Sequence, residues 1–339
     1  LGCLVTSISV ILPYRNAAET LERALVGVLA RSAPELELIA IDDGSTDSGP
    51  ERVRKWAERD LRVKLVAGYG NGLVAALNLG LSHAKGGLIA RMDADDACDP
   101  ERFHKQARYL ECHPHVGVLG CQVRAVADEG ELGEGLRRYV AWQNSLQTAE
   151  QHRNELFVES PLCHPSVMLR RTVMDAAGGY REHAGAEDYD LWLRLDALGY
   201  RFEKLPERLL DWHHRAGRAT FSDPRYALSR MRALKAPFLA ARLTECARER
   251  LVVWGAGSAG KRLMRELEQH GLRADLFIDI DPKKIGSVAR GAPIAEKQVL
   301  DPKRDVVVVS VATRGARATI RAELEAFGFV EGENAWHAA

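Results

Sequence analysis

The chain has 339 residues, enough for two domains or three, with the 46% hydrophobic and 28% charged content of an ordinary soluble protein. Lys+Arg and Asp+Glu stand at 47 each, so no basic surplus argues for nucleic acid and no basic tail for anionic lipid. No apolar run approaches the roughly 20 residues of a membrane span. The six cysteines (Cys3, Cys98, Cys112, Cys121, Cys163 and Cys246) are scattered without a CxxC pair, which favours a reducing compartment with neither a disulfide framework nor a zinc site.

The opening, LGCLVTSISVILPYRN, has no basic leader and runs straight into a strand, so no signal peptide is expected. It starts at Leu1 rather than Met, as if a few residues were missing or replaced. Residues 8–12 read as a β-rich strand ended by Pro13. A helical pattern follows from Ala18, with Leu21, Leu25, Val28 and Leu29 on one stripe. A second strand, 35–41, stops at Asp42-Asp43-Gly44-Ser45-Thr46-Asp47. A helix (51–59), a strand (63–66), the turn Gly70-Asn71-Gly72 and a helix (73–84) come next. The strand 88–92 then stops at Asp93, Asp95 and Asp96, and Pro100, Glu101 and Arg102 open another helix.

Strands alternating with helices imply a doubly wound, mostly parallel sheet. Ligands bind such sheets beyond the carboxyl ends of the strands. Three strands here end informatively, at Pro13-Tyr14, at Asp42-Asp43 and at Asp93/Asp95, and all three are expected along one edge. Strand alternation lets Asp93 and Asp95 face one side. Unpaired buried charge is costly, so a divalent cation is their natural partner. An isolated DxD would more simply be a polar loop with a helix cap at Asp99; the coincidence of three such ends favours a site.

Residues 116–123 read as a strand, and 124–155 as a polar, irregular stretch with a helical flavour. Cys163-His164-Pro165 leads into a strand and a short helix ending at Gly178-Gly179-Tyr180. Glu187 and Asp188 open a helix with Leu191, Leu195 and Leu198 on its apolar stripe. Acids in a first turn also serve capping. His164 is either a packed polar residue or a functional one. In LLDWHHRAGR (209–218), His213 and His214 stand either on a solvated loop or in a site.

An Arg-rich helical connector (224–250) carries Ala227, Met231, Leu234, Phe238 and Leu239. The pattern then restarts with a strand (251–254), the loop Gly255-Ala256-Gly257-Ser258-Ala259-Gly260, a helix (261–270) and a strand ending at Asp279. This matches the dinucleotide fingerprint, whose glycines allow a tight turn and close approach of a pyrophosphate to a helix N-terminus. Asp281-Pro282-Lys283-Lys284 reads as a surface turn, 306–311 as a strand and 316–327 as a helix. Gly255, Gly257, Gly260 and Asp279 are thus candidates for NAD(P) or another nucleotide. Little chain remains for a separate substrate domain, which favours a binding, regulatory or docking module over a working dehydrogenase.

In that order, VILPYRN, IDDGSTD, NGLVAALNLGLSHAKG and ARMDADD resemble the family 2 glycosyltransferases of GT-A fold, over residues 8–218. The fold class implied is α/β, with a GT-A domain (1–221), a helical connector (222–250) and a small Rossmann-like α/β domain (251–339). The activity implied is transfer of a sugar from a nucleotide diphosphate sugar, usually with inversion and with Mg²⁺ or Mn²⁺. By the resemblance, Pro13 and Tyr14 line the nucleoside pocket, Asp43 accepts a hydrogen bond from the base (often uracil), and Asn71 lies on the donor side. Asp93 faces the ribose, and Asp95, with Asp93, holds the metal. The Glu187-Asp188 pair supplies the catalytic base, Asp188, and a supporting acid, Glu187. Residues 209–218 resemble the closing segment, where His213, His214 or Arg215 approaches the diphosphate; Arg215 counts on the donor side. His164, Trp212, His213 and His214 are acceptor-side candidates. The chain departs from the pattern at Leu77, where relatives often carry a basic residue. A base at a helix N-terminus has a lowered pKa unless burial opposes it.

The expected partners are a nucleotide-sugar donor and a sugar, lipid-linked or protein acceptor, in the cytoplasm or at the inner face of the membrane, with no nucleic acid, no integral span and the oligomeric state open. Surface polysaccharide or glycoconjugate synthesis is the associated setting. The alternatives are an NAD(P)-dependent oxidoreductase, or a nucleotide-binding regulatory protein acting through the C-terminal domain. A nucleotidyltransferase should carry a Gly-rich basic loop after the first strand, and Pro13-Tyr14-Arg15-Asn16 is not one.

Overall fold

The computed structural model describes residues 7–31, 35–183, 185–215, 223–313 and 315–339. Cys3 and the end of LLDWHHRAGR, residues 216–218, lie outside them. The chain divides into two compact units, one of Leu1–His152, Pro161–His183 and Glu187–Asp223, the other of Arg153–Ser160, Ala184–Ala186 and Pro224–Ala339.

The first unit runs β1 (Ile8–Tyr14), α1 (Leu21–Leu29), β2 (Leu36–Asp42), α2 (Gly49–Arg59), β3 (Val63–Ala67), α3 (Leu73–His83) and β4 (Leu88–Arg91). It continues with β5 (Ala97–Cys98), α4 (Arg102–Cys112), β6 (Val116–Ala127), α5 (Glu134–Ser145), α6 (Ala149–Glu155), β7 (Met168–Arg170), α7 (Arg171–Ala177), α8 (Glu187–Ala197) and β8 (Arg201–His214). Its sheet has the order β3-β2-β1-β4-β7-β6-β8-β5. The β3-β2-β1-β4 half is parallel, so the acidic ends of β2 and β4 flank the end of β1 on one edge. Strand β7 runs antiparallel to β4 and β6, which makes the sheet mixed rather than doubly wound throughout. All seven residues of β1 are buried, as a central strand covered on both faces requires.

Several expected boundaries shift. Pro13 does not end β1. The carbonyl of Ile11 accepts Met92 N–H, so odd residues face β4, whose pairing stops at Ile11↔Arg91; proline there forfeits no ladder bond. Helix α1 starts at Leu21 rather than Ala18, and the Ala18 N–H of the preceding turn donates to Asp47 Oδ2 at 2.8 Å. Helix α4 starts at Arg102, and Pro100 sits in the preceding turn, where Asp99 Oδ1 accepts Glu101 N–H at 2.8 Å. The stretch after residue 123, expected to be irregular, continues β6 to Ala127 against β8. The signal was masked because this end of β6 is only partly buried.

Helix α1 buries Leu21, Ala24, Leu25, Val28 and Leu29, the i, i+3/i+4 stripe. It lies so close to β5 that a Cβ on Gly27 would meet Cys98 O at 2.8 Å. Helix α4 is laced beneath the sheet by polar side chains. Buried Arg102 donates to Arg91 O at 2.9 Å, and Gln106 Nε2 to Leu119 O and Ser166 O, each at 2.9 Å. Each buried donor needs such a partner, since leaving one unpaired costs about 1–3 kcal/mol.

The second unit comprises α9 (Leu228–Glu245), β9 (Arg250–Trp254), α10 (Ser258–Glu268), β10 (Leu276–Ile278), β11 (Val288–Ala289), β12 (Ala292–Ala295), β13 (Asp305–Val309), α11 (Ala316–Ala326) and β14 (Ala335–His337). Its strand order is β11-β12-β10-β9-β13-β14, parallel except for the β11/β12 hairpin. Helix α9, which covers most of the connector expected from the sequence, packs on α10. Its buried Lys235 donates to Phe157 O at 2.6 Å, Val158 O at 3.3 Å and Ala338 O at 2.8 Å.

Candidate active site

The carboxyl edge of β1, β2 and β4 is built first by its own backbone. Asp43 N–H donates to Tyr14 O at 2.9 Å, and Asp43 Oδ2 accepts Gly72 N–H at 2.9 Å. That bond ties the end of β2 to the N-terminus of α3, where Gly72 holds φ 93°, a conformation that favours glycine. The other acids of IDDGSTD serve the loop itself. Asp42 Oδ1 accepts Ser45 N–H at 3.0 Å, and Asp47 accepts Ala18 and Gly49 N–H. Asn71 is exposed beside this turn. Tyr14 is 4% exposed and turns its ring into the core, so what it offers the edge is its carbonyl.

At the end of β4, Asp93, Asp95 and Asp96 bring one carboxylate oxygen each within 4.8 Å of one another. Three cations or donors hold them. Buried Arg91 pairs with Asp93 Oδ1 at 2.6 Å and also reaches Met92 O. The backbone N–H of His213 donates to Asp96 Oδ1 at 2.8 Å. Arg23, on α1, donates to the carbonyl of Asp95 and pairs with Asp128 Oδ1 at 3.3 Å. Asp128 Oδ1 also meets His213 Nδ1 at 2.5 Å. Partial burial would raise the Asp128 carboxyl, but His213 and Arg23 outweigh it and hold it below the usual range. An all-carboxylate donor set suits a hard divalent cation.

Glu187 and Asp188 occupy the first turn of α8. Burial first, and then the charge of Glu187, push the Asp188 carboxyl up to about 7, against the opposing backbone N–H of Tyr189 at 2.7 Å. The choice left open by the sequence, helix dipole against burial, goes to burial. Glu187 is buried with Oε1 3.7 Å from His164 Nδ1, while His164 Nε2 meets Tyr180 OH at 2.8 Å. His164 is 8% exposed, and burial, with Arg91 nearby, holds its pKa well below the ordinary histidine value. It is a neutral ring packed behind the acidic pair.

Trp212 and His214 are buried, with ring centroids 4.3 Å apart, and Tyr139 lies 6.4 Å from Trp212. Arg215 is half-exposed at the end of β8. The first unit therefore brings Asp43 to the N-terminus of α3, and His213 to Asp96. Gly255, Gly257, Gly260 and Asp279 belong to the second unit. Sequence reasoning missed Arg23, Arg91, Asp128 and Tyr180. Arg91 alone carried a signal, a cation inside the ARMDADD strand.

Residues 9–178 match the model of the family described as Glycosyl transferase family 2. The amylovoran biosynthesis glycosyltransferase AmsE of Erwinia amylovora is 32% identical over 205 residues, 60% of this chain and 74% of that one. Among solved structures, S. aureus TarS 1-349 in complex with UDP-GlcNAc aligns with a TM-score of 0.53 at 19% identity, over 70% of this chain and 73% of that one. The mannosyltransferase PcManGT of Pyrobaculum calidifontis, in complex with GDP-Man and Mn²⁺, aligns with a TM-score of 0.51 at 22% identity, over 78% and 70%. At these identities the two structures establish a shared fold, the GT-A arrangement expected from the sequence.

Proposed function

The chain belongs to glycosyl transferase family 2, and from that premise we propose that it moves a sugar, with inversion, from a uridine diphosphate sugar to an acceptor hydroxyl in surface polysaccharide or glycoconjugate synthesis. The observation that carries the reading is the cluster of Asp93, Asp95 and Asp96 at the end of β4. Asp95, with Asp93, would hold Mn²⁺ or Mg²⁺; Asp96 is engaged by the His213 N–H. When bound, the cation offsets the charge that develops on the leaving diphosphate. The Mn²⁺ in the PcManGT complex supports this use.

Asp43, with Pro13 and Asn71, would receive the nucleoside, and Arg215 would approach the diphosphate. Inversion needs a base on the far face of the sugar from the leaving group. Asp188 takes that role, with Glu187 behind it keeping its proton affinity high. A carboxylate poised near neutrality suits abstraction of a hydroxyl proton as the new bond forms. The AmsE relative is named for the biosynthesis of amylovoran, which supports the polysaccharide setting. No described helix is long and apolar enough to cross a membrane, so a lipid-linked acceptor would be met at the membrane surface.

The test is thermal stability with UDP, GDP, CDP and dTDP, each with and without Mn²⁺. At about 100 times its dissociation constant a ligand stabilises the native state by about 2.7 kcal/mol. A Mn²⁺-dependent rise with UDP, absent in Asp95→Ala, is expected. A rise that ignores Mn²⁺ and survives Asp95→Ala would sink the metal assignment, and a response to GDP alone would overturn the uridine donor.

A further inference from the structure

The second unit has a cavity of about 960 Å³ that the transferase reading does not use, lined by Gly257, Ser258, Asp279, Ile280, Lys284 and Ser310 among others. It opens at the carboxyl ends of β9, β10 and β13. Strand β10 lies on one side of β9 and β13 on the other, so this is the switch point at which parallel sheets leave a crevice.

The three glycines of the loop there are not equivalent. Gly255 has φ +117°, and a Cβ on it would stand 2.6 Å from Ser310 O. A Cβ on Gly260 would stand 1.9 Å from Gly255 O. The fold itself demands those two. Gly257 has φ −78° and ψ −170°, a backbone any residue adopts, and a Cβ there would meet nothing within 4 Å. The protein's own packing therefore gives no reason for a bare position at Gly257. An occupant lying against the start of α10 does give one, because that N-terminus has no side-chain cap and offers first-turn N–H groups to an anion.

Two further groups point into the same space. Ser310 is 3% exposed and lines the cavity, and its hydroxyl makes no hydrogen bond among the described residues. Asp279 Oδ2 accepts Ala256 N–H and Lys284 Nζ, each at 3.0 Å, and Oδ1 accepts Asp281 N–H at 3.0 Å. A carboxylate has about four lone-pair positions, so a position on Oδ1 remains for a hydroxyl. Beside it Ile280 is 82% exposed, an apolar face of the kind a flat base covers.

We propose that this crevice binds the ribose and diphosphate of a ribonucleotide, as a second nucleotide site independent of the carboxylate cluster on the first unit. The diphosphate lies on Gly257 and the start of α10, the ribose hydroxyl on Asp279, and the base against Ile280. Such a group comes either from a nucleoside diphosphate or from a dinucleotide.

Isothermal titration of the full chain with ADP, UDP and NAD⁺ in EDTA distinguishes these sources. One of the probes is expected to bind without metal, to bind equally to Asp95→Ala, and to bind Gly257→Val at least about tenfold more weakly, a loss of about 1.4 kcal/mol. The Mn²⁺-dependent nucleotide response of Gly257→Val should persist, reporting that the variant is folded. Should that variant fail to fold, hydrogen exchange on the wild type decides, with slower exchange across 255–260 when the probe is added. The proposal is overturned if no probe binds in EDTA, if binding is lost in Asp95→Ala, if it is unchanged in a folded Gly257→Val, or if exchange across 255–260 does not slow.

Discussion

As the proposed base, Asp188 should carry the largest functional consequence of any single side chain. Removing its carboxylate in Asp188→Asn should lower kcat by about 10²- to 10⁴-fold, the usual worth of a positioned base. The wild type should show kcat/KM rising with pH through about 7, where burial and Glu187 have placed this carboxyl, and the variant should lose that limb. The same shift affects stability. In the window between the ordinary aspartate range and about 7 the folded chain keeps a proton on Asp188 that the unfolded chain has released. The stability this confers is full below the window and is lost as pH rises through about 7. Asp188→Asn, which cannot ionise, should therefore gain on the wild type between pH 5 and pH 8 in urea unfolding. A difference that stays constant across that range would refute the assignment of the shift to burial.

At the scale of elements, α3 positions the approach to α8. Asn78 Nδ2 donates to Tyr180 O at 2.9 Å and its Oδ1 accepts Tyr180 N–H at 3.0 Å. Gly179, at φ 73°, leaves room for that amide, since a Cβ would come within 2.8 Å of Asn78 Oδ1. Asn78→Ala should cost about 1–3 kcal/mol by leaving the Tyr180 peptide unpaired, read as a lower urea midpoint with an unchanged slope. An unchanged midpoint would mean the turn holds without the amide. The strand and helix sequence and the acidic ends of β2 and β4 were legible because their signals are local, an alternating run followed by carboxylates. Arg23 and Asn78 were not, because Asp128 lies 105 residues from the one and Tyr180 lies 102 from the other. The burial of Tyr14, His164, Trp212 and His214 was equally hidden. Each sits in a motif that reads as functional, and only the packing of neighbouring elements decides where its ring turns. Strands β11, β12 and β14, of two to four residues, are too short to leave a periodic trace.

Across the whole molecule, Lys235 draws three distant parts of the chain together, since its Nζ lies within hydrogen-bond distance of carbonyls 78, 77 and 103 residues away. Burial lowers its pKa to about 7, which Glu159 opposes only in part. Between about 7 and the ordinary lysine range the folded chain holds Lys235 neutral while the unfolded chain keeps it charged, so this group's contribution to stability rises with pH across that window. Measured against Lys235→Met, the wild type should gain stability from pH 7 to pH 10; a flat difference would rule this out. The same contact bears on how the gene can be divided. Residues 153–160 are grouped with the second unit although the chain of the first unit continues on either side of them. A truncation after residue 223 would keep every residue of the proposed transfer site, yet strip Phe157 O and Val158 O of the lysine that satisfies them, stranding buried Leu156 and Phe157 without their lid. Recombination that exchanges the C-terminal part between relatives must therefore exchange this short internal segment as well.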